Sequence, residues 1–193
     1  FEGIDKVTPQ DINFGKQLEL ILKPLSVGQL SEDKITLGSF PAFVKEKSLL
    51  ASIENESNAV LMNAENVGET MYAGPGAGAK PTANSVLSDI IDIATGKIFD
   101  YQKFVESPLA SSFENFSCDH YLRFIVSDEP GVVAKISTVL AANNLSIDNL
   151  IQNELDREDN AIPLVIVISN SKEKIMKNTI SDLQKLPEVK NSI

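Results

Sequence analysis

Gly74-Pro75-Gly76-Ala77-Gly78 sets three glycines at alternate positions between an extended run and a helical one, and that spacing constrains the chain on both sides. Upstream, residues 58–64 and 67–72 read as a strand and its return, with Glu65-Asn66 as the turn. Downstream, Val86, Leu87, Ile90, Ile91 and Ala94 recur at three and four residues, one apolar face of a helix that Gly96 ends. A backbone without Cβ atoms at every second residue approaches something closely, either a packed neighbour or a ligand. Taken alone, the loop favours packing. Its Gly-x-Gly-x-Gly spacing is not the dinucleotide fingerprint, and no acidic ribose partner follows a second strand.

Toward the N-terminus, Thr8 suits a helix cap, Pro9 the first helical position and Asp11 the positive end of the helix dipole. Phe14, Leu18, Ile21 and Leu22 continue that helix until Pro24 stops it. Residues 25–30 and 35–37 then alternate about a turn at 31–34, the pattern of a β-hairpin, and residues 48–53 allow a short helical turn. Helix, hairpin, hairpin, glycine loop and helix make residues 1–96 an α+β unit whose small core needs a partner surface. Residues 97–119 follow neither period. Phe99, Tyr101, Phe104, Phe113 and Phe116 are spread among Ser, Asp and Glu, as in a linker laid over a surface and tacked down by its aromatics.

Residues 120–193 form a second unit. Residues 121–126 are a strand, Ser127-Asp128-Glu129-Pro130-Gly131 a turn, and Val132, Val133, Ile136, Val139 and Leu140 mark a helix closed by Asn143-Asn144. A strand over 145–152 and a charged turn over 156–160 lead to Leu164-Val165-Ile166-Val167-Ile168, apolar on both faces and hence central in its sheet. Ser171 is placed to cap a helix carrying Ile175, Met176, Ile180 and Leu183, which Pro187 terminates before a last strand over 189–193. The order βαββαβ is that of a ferredoxin-like unit.

Composition excludes several roles. A net charge of −10, with 17 basic residues scattered singly or in pairs, argues against nucleic acid as a partner. No apolar run reaches the ~18 residues of a membrane span. Histidine-based metal-ligand spacing is absent, so no metal is expected. The single cysteine, Cys118, rules out an intrachain disulfide framework and suits a reducing cytoplasm. Cys118 and the only histidine, His120, lack an orienting third group, so they read as a linker end rather than a catalytic pair. The carboxylate pairs Glu54/Glu56 and Asp89/Asp92 read as solvated. The opening Phe1-Glu2-Gly3-Ile4, without an initiator methionine, is expected of a cut or processed piece.

Several of these stretches together resemble the homoserine dehydrogenase family. They are Asp5-Lys6-Val7-Thr8-Pro9-Gln10-Asp11-Ile12, Asn58-Ala59-Val60, Val67-Gly68-Glu69, the Gly-Pro-Gly-Ala-Gly loop with Pro81-Thr82-Ala83, and Ser85-Val86 through Asp89. Asp128-Glu129-Pro130-Gly131-Val132-Val133-Ala134-Lys135-Ile136 resembles the first loop and helix of an ACT domain, which that family often appends. The resemblance implies an α+β chain: part of a mixed-sheet substrate and dimerisation domain over 1–96, a linker over 97–119 and an ACT regulatory domain over 120–193. It implies reduction of aspartate semialdehyde to homoserine with NADP or NAD as cofactor, in threonine and methionine biosynthesis. The family's catalytic lysine and its Rossmann domain precede the segment present here, so no catalytic residue is expected in this chain. Gly78 matches the glycine that meets the nucleotide, with Gly76 and Thr82 beside it. The effector positions implied are Asp128, Pro130, Gly131, Val132, Ser146 and Asp148, between two subunits of a homodimer, with threonine as the effector. Without a Rossmann domain, the Val86-Ile90-Ala94 stripe is expected to be partly bare, refolded or covered by another copy. A stand-alone amino-acid-binding regulatory protein is the other reading of the same features.

Overall fold

Thr8, Pro9 and Asp11 start helix α1 (Pro9–Gln17) as the sequence predicts. Thr8 is extended, and the Asp11 carboxylate accepts hydrogen bonds from the Thr8 N–H and hydroxyl, each at 2.8 Å. In this computed structural model, which describes residues 2–31, 34–97, 109–153 and 160–192, α1 ends a turn earlier than the periodicity predicts. Leu18 caps it, Glu19 turns into the left-handed region (φ 56°), and Leu20 opens strand β1 (Leu20–Ser31). Ile21 and Leu22 therefore lie in a strand, opposite Val44 and Phe43. A three-residue apolar run fits either period, and strand pairing decided the matter.

Strand β2 (Lys34–Lys45) returns antiparallel to β1 in register from Leu20↔Lys45 to Ser31↔Lys34, a longer hairpin than the alternation at 25–37 predicts. A 3-10 turn at Leu49–Ser52 leads to strands β3 (Ser57–Ala64) and β4 (Gly68–Pro75), which among the described residues pair only with each other. Helix α2 (Ala79–Ala94) follows and buries no residue. Val86, Leu87, Ile90, Ile91 and Ile93 are each more than half exposed, so within this one chain the helix is formed and its apolar face is partly bare rather than refolded. Gly96, at φ 72°, closes the helix as predicted.

Of the aromatics in 97–119, Phe99, Tyr101 and Phe104 lie outside the described residues. Strand β5 (Leu109–Ala110) pairs parallel with Lys34 and Ile35. Phe113 stacks on Phe116 at 4.9 Å and tilts against Phe40 at 5.5 Å. Its ring occupies the space that a Cβ on Gly38 would take, 2.3 Å away.

The second unit contains β6 (Ser117–Ser127), α3 (Val132–Ala142), β7 (Ile147–Gln152), β8 (Ala161–Lys172), α4 (Glu173–Leu183) and β9 (Val189–Ser192). Their sheet order is β7-β8-β6-β9 with every neighbour antiparallel, the ferredoxin-like arrangement. The turn read at 156–160 is described only at Asn160, whose φ is 60°. Two details differ from expectation. Cys118 and His120 belong to β6 rather than to a linker end. Ser171 does not cap α4: it lies in β8 with its hydroxyl buried and without a hydrogen-bond partner among the described residues, and Lys172 holds the cap position.

The helices pack on one face of this sheet. Leu122, Phe124, Val126, Ile162, Leu164, Ile166 and Ile168 meet Val132, Ile136, Leu140, Met176 and Leu183 there. By strand alternation Tyr121 and Arg123 point to the other face, with Val165 opposite Arg123 and fully buried. That face is covered by α1 and β2, with Phe43 against Tyr121 at 4.8 Å between ring centroids. Both faces of β8 are thus buried, as its unbroken apolar run requires.

Candidate ligand sites and the contact between the units

The three glycines from the end of β4 to the start of α2 have different environments. A Cβ on Gly76 would lie 2.1 Å from the Asn58 amide nitrogen, while the Gly76 N–H donates to the Glu56 carbonyl at 2.7 Å. Gly76 is therefore a close-packing glycine. Gly78, the residue before α2, has φ 116° and ψ 154°, a backbone region open in practice to glycine alone. The nearest atoms to its missing Cβ are Pro81 ring carbons at 3.5 Å, so an approaching group would find space. Gly74 has nothing within 4 Å. The Thr82 N–H and hydroxyl both donate to the Gly78 carbonyl, at 3.1 and 2.8 Å, which fixes the first turn of α2. Gly76, Gly78 and Thr82 thus share one exposed loop-to-helix junction. Gly78→Ala is expected to cost about 1–3 kcal/mol locally through backbone strain, seen as faster amide exchange in the first turn of α2.

The candidate effector residues fall into two groups. Asp128, Pro130, Gly131 and Val132 join β6 to α3. The Asp128 N–H donates to the Asn160 carbonyl at 3.2 Å, Gly131 is left-handed at φ 92° with open space around it, and Val132 turns into the core. At the same end, the Lys135 ammonium pairs with the Glu188 carboxylate, and that hydrogen bond holds Glu188 below the ordinary carboxylate pKa. Ser146 and Asp148 lie at the start of β7, where Asp148 is the extra residue of a bulge between Ile147↔Ile168 and Asn149↔Val167. Ser127 pairs with Ala161, whereas Ile147 pairs with Ile168. Seven residue steps along β8 separate these rungs, roughly 23 Å at strand rise. One chain does not bring the two groups together.

Cys118 and His120 are structural. The His120 Nε2 lies 3.0 Å from the Ser171 carbonyl, so it carries the proton and donates there. It is then no acceptor for the Cys118 thiol 3.8 Å away. Burial, with Glu173 and Asp119 nearby, pushes that thiol up to about 11, so it is neutral at physiological pH and a poor nucleophile.

A dense polar cluster among the described residues joins the two units, and the sequence reading captured two of its members, Thr8 and Asp11, in local roles at the start of a helix. Asp11, besides holding Thr8, receives Arg123 Nε on Oδ1 at 2.7 Å and Arg123 Nη2 on Oδ2 at 3.1 Å. The Tyr121 hydroxyl donates to Oδ1 at 2.8 Å. Asp11 is 3% exposed and Arg123 5%. Burial by itself raises the Asp11 pKa, but hydrogen bonds from Arg123, Thr8 and Tyr121 outweigh it and hold the carboxyl below its ordinary value. Burial, then the bond to Asp11, pushes the Tyr121 phenol up, so it stays a donor. The available signal was Arg123 itself, a lone charge in Leu122-Arg123-Phe124-Ile125-Val126, which needs a buried partner.

The fold and these sites define an α+β chain that joins a hairpin unit, with a glycine-rich loop-to-helix junction, to a ferredoxin-like unit. Residues 1–91 match the family model for homoserine dehydrogenase, and residues 120–188 match that for the ACT domain. The chain belongs to the homoserine dehydrogenase family and carries an ACT domain. It is 35% identical over 191 residues to the homoserine dehydrogenase of Helicobacter pylori, covering 97% of this chain and 45% of that protein. The Neisseria gonorrhoeae enzyme is also 35% identical, covering 100% of this chain and 46% of its own length. A crystal structure of a homoserine dehydrogenase from Thiobacillus denitrificans superposes with a TM-score of 0.84 at 28% identity, over 100% of this chain and 46% of that one. The chain therefore spans somewhat under half the length of the relatives it matches.

Proposed function

We propose that this chain is the C-terminal portion of a homoserine dehydrogenase that reduces aspartate semialdehyde to homoserine with NADPH or NADH, for threonine and methionine synthesis in the cytoplasm. The observation that carries this reading is the bare apolar face of α2, beginning at the Gly78 junction. A helix with Val86, Leu87, Ile90, Ile91 and Ile93 in water is a surface awaiting cover. The Rossmann domain of the same chain supplies that cover. The geometry of Gly78 fits a nucleotide: its open space admits a ring or ribose against the backbone, and Thr82 holds the turn behind it. When bound, the nicotinamide supplies the hydride for the aldehyde carbon. The residues of this chain position it and exclude water; the acid that protonates the product lies upstream, so the 193-residue chain alone is inactive.

The ACT unit senses an amino acid, and threonine, the product downstream, is the effector. The separation of the two effector groups within one chain supports a homodimer. Pairing of two β7 edges antiparallel about a two-fold axis sets the Ser146–Asp148 end of one protomer beside the 128–132 loop of its partner. The β7 edge is available for this, since among the described residues it pairs only with β8. The loop and first turn of α3 then face the effector's charged groups.

Two measurements test this reading. The protein extended upstream to the length of its relatives should oxidise NADPH when aspartate semialdehyde is present, and the 193-residue chain should not. Turnover by the short chain would overturn its assigned inactivity, and an inert, folded extended protein would sink the catalytic assignment. In calorimetry, threonine should release or absorb heat on mixing with the chain. No heat at millimolar threonine, with the dimer intact, removes the effector assignment.

A further inference from the structure

We infer that the Asp11 carboxylate, with its Arg123 and Tyr121 donors, is the joint through which a change at the 128–132 loop passes to α1. Strand β6 connects the two places directly. Its C-terminal residue, Ser127, enters the loop, and Arg123 lies four residues back on the same strand. The β8 ladder holds β6 without a break from His120 to Ser127, and β9 flanks residues 124–126 with one register shift, so a displacement at Ser127 carries Arg123 and Tyr121 with it along the β8 side. Asp11 follows, because its two oxygens are held by Arg123 through two nitrogens, by Tyr121, and by the Thr8 N–H and hydroxyl. Arg123 Nη2 also reaches the Thr8 hydroxyl at 3.3 Å, so both the cap and the third helical residue of α1 are gripped. Phe14, 1% exposed, anchors the same helix from its next turn.

The chemistry suits transmission better than adhesion. An apolar patch holds two elements together at many small offsets, whereas a bidentate guanidinium–carboxylate pair has one satisfied geometry. Tyr121 reinforces that choice, with its ring against Phe43 of β2 while its hydroxyl holds α1. The regulatory meaning of the joint rests on the effector reading of the loop. Its mechanics do not.

The test is a double-mutant cycle on the 193-residue chain, read by amide exchange of residues 12–17 in α1 and 133–142 in α3. Gly131→Ala strains the loop without any ligand, because Gly131 sits at φ 92°. In the parent it should accelerate exchange in α3 and, through the joint, in α1 by about fivefold. In Asp11→Leu/Arg123→Met, which replaces the pair with apolar side chains, the α1 acceleration should fall below about twofold while that in α3 persists. Tyr121→Phe, which keeps the ring and loses one hydrogen bond, should give an intermediate value. Equal α1 acceleration with and without the pair, or none in the parent while α3 responds, overturns the joint. Repeating the measurement with threonine separates the two claims: a joint shown by the cycle but silent to threonine rejects that effector and leaves the coupling standing.

Discussion

Arg123→Met lowers the unfolding free energy of this chain by about 3–5 kcal/mol, because it leaves the Asp11 carboxylate buried without its cation. The cost belongs to the broken pair rather than to the loss of attraction. Asp11→Leu/Arg123→Met removes both charges, fills similar volume, and should recover most of that loss. Urea denaturation of the three proteins checks the order: parent and double variant close together, the single variant well below. The pair also sets an acid limit. The folded-state pKa of Asp11 lies below its unfolded value, so its contribution is complete above the unfolded value and drains away as pH falls through the folded one. Parent stability should therefore decline as pH drops below about 4, and part of that slope should be missing in the double variant. Equal acid slopes in the two would contradict the burial and bonding described for Asp11.

Phe124→Ala is the second large effect, about 3–5 kcal/mol from lost burial plus the cavity left behind. Phe124 is 1% exposed, on the central strand β6 opposite Leu164, and faces the layer formed by α3 and α4. Neighbours fixed by two strand ladders collapse poorly into such a void, which favours the upper part of the range. The near-UV spectrum of the chain should soften with it, since this cluster orders the whole ferredoxin-like unit. A loss under about 1 kcal/mol would mean that the core repacks freely around position 124. By contrast Ile90→Ala, on the exposed face of α2, has little packing to lose in this chain.

The ferredoxin-like unit was legible because its signals are local. The apolar run at Leu164–Ile168, the Asn143-Asn144 exit with Asn144 at φ 56°, and the 3.6 period of α3 each name one element unambiguously. The α1–β1 junction was not, because Leu20-Ile21-Leu22 fits a helix stripe or a strand, and pairing with residues 43–45 is invisible along the chain. Ser171 misled for a similar reason: a good capping residue gives no sign that β8 extends through it. The glycine loop was half legible. Its spacing announces close approach, yet only coordinates separate Gly76, crowded by Asn58, from Gly78, chosen for its backbone angle. The Asp11–Arg123 pair, 112 residues apart, was least accessible, since Asp11 had an adequate local explanation at the helix start and Arg123, a lone charge in an apolar strand, did not name its partner. Which distant charge answers Arg123 is a property of the fold.

The ribbon of β3 and β4 carries the glycine junction out to α2, and neither ribbon nor helix owns a core. An isolated two-stranded ribbon is marginal in water, so the junction takes its working shape only once other surfaces close around it. On the proposed function, any cofactor contact at Gly78 would follow the closing of those surfaces, whereas the β7-β8-β6-β9 sheet already carries a core of its own.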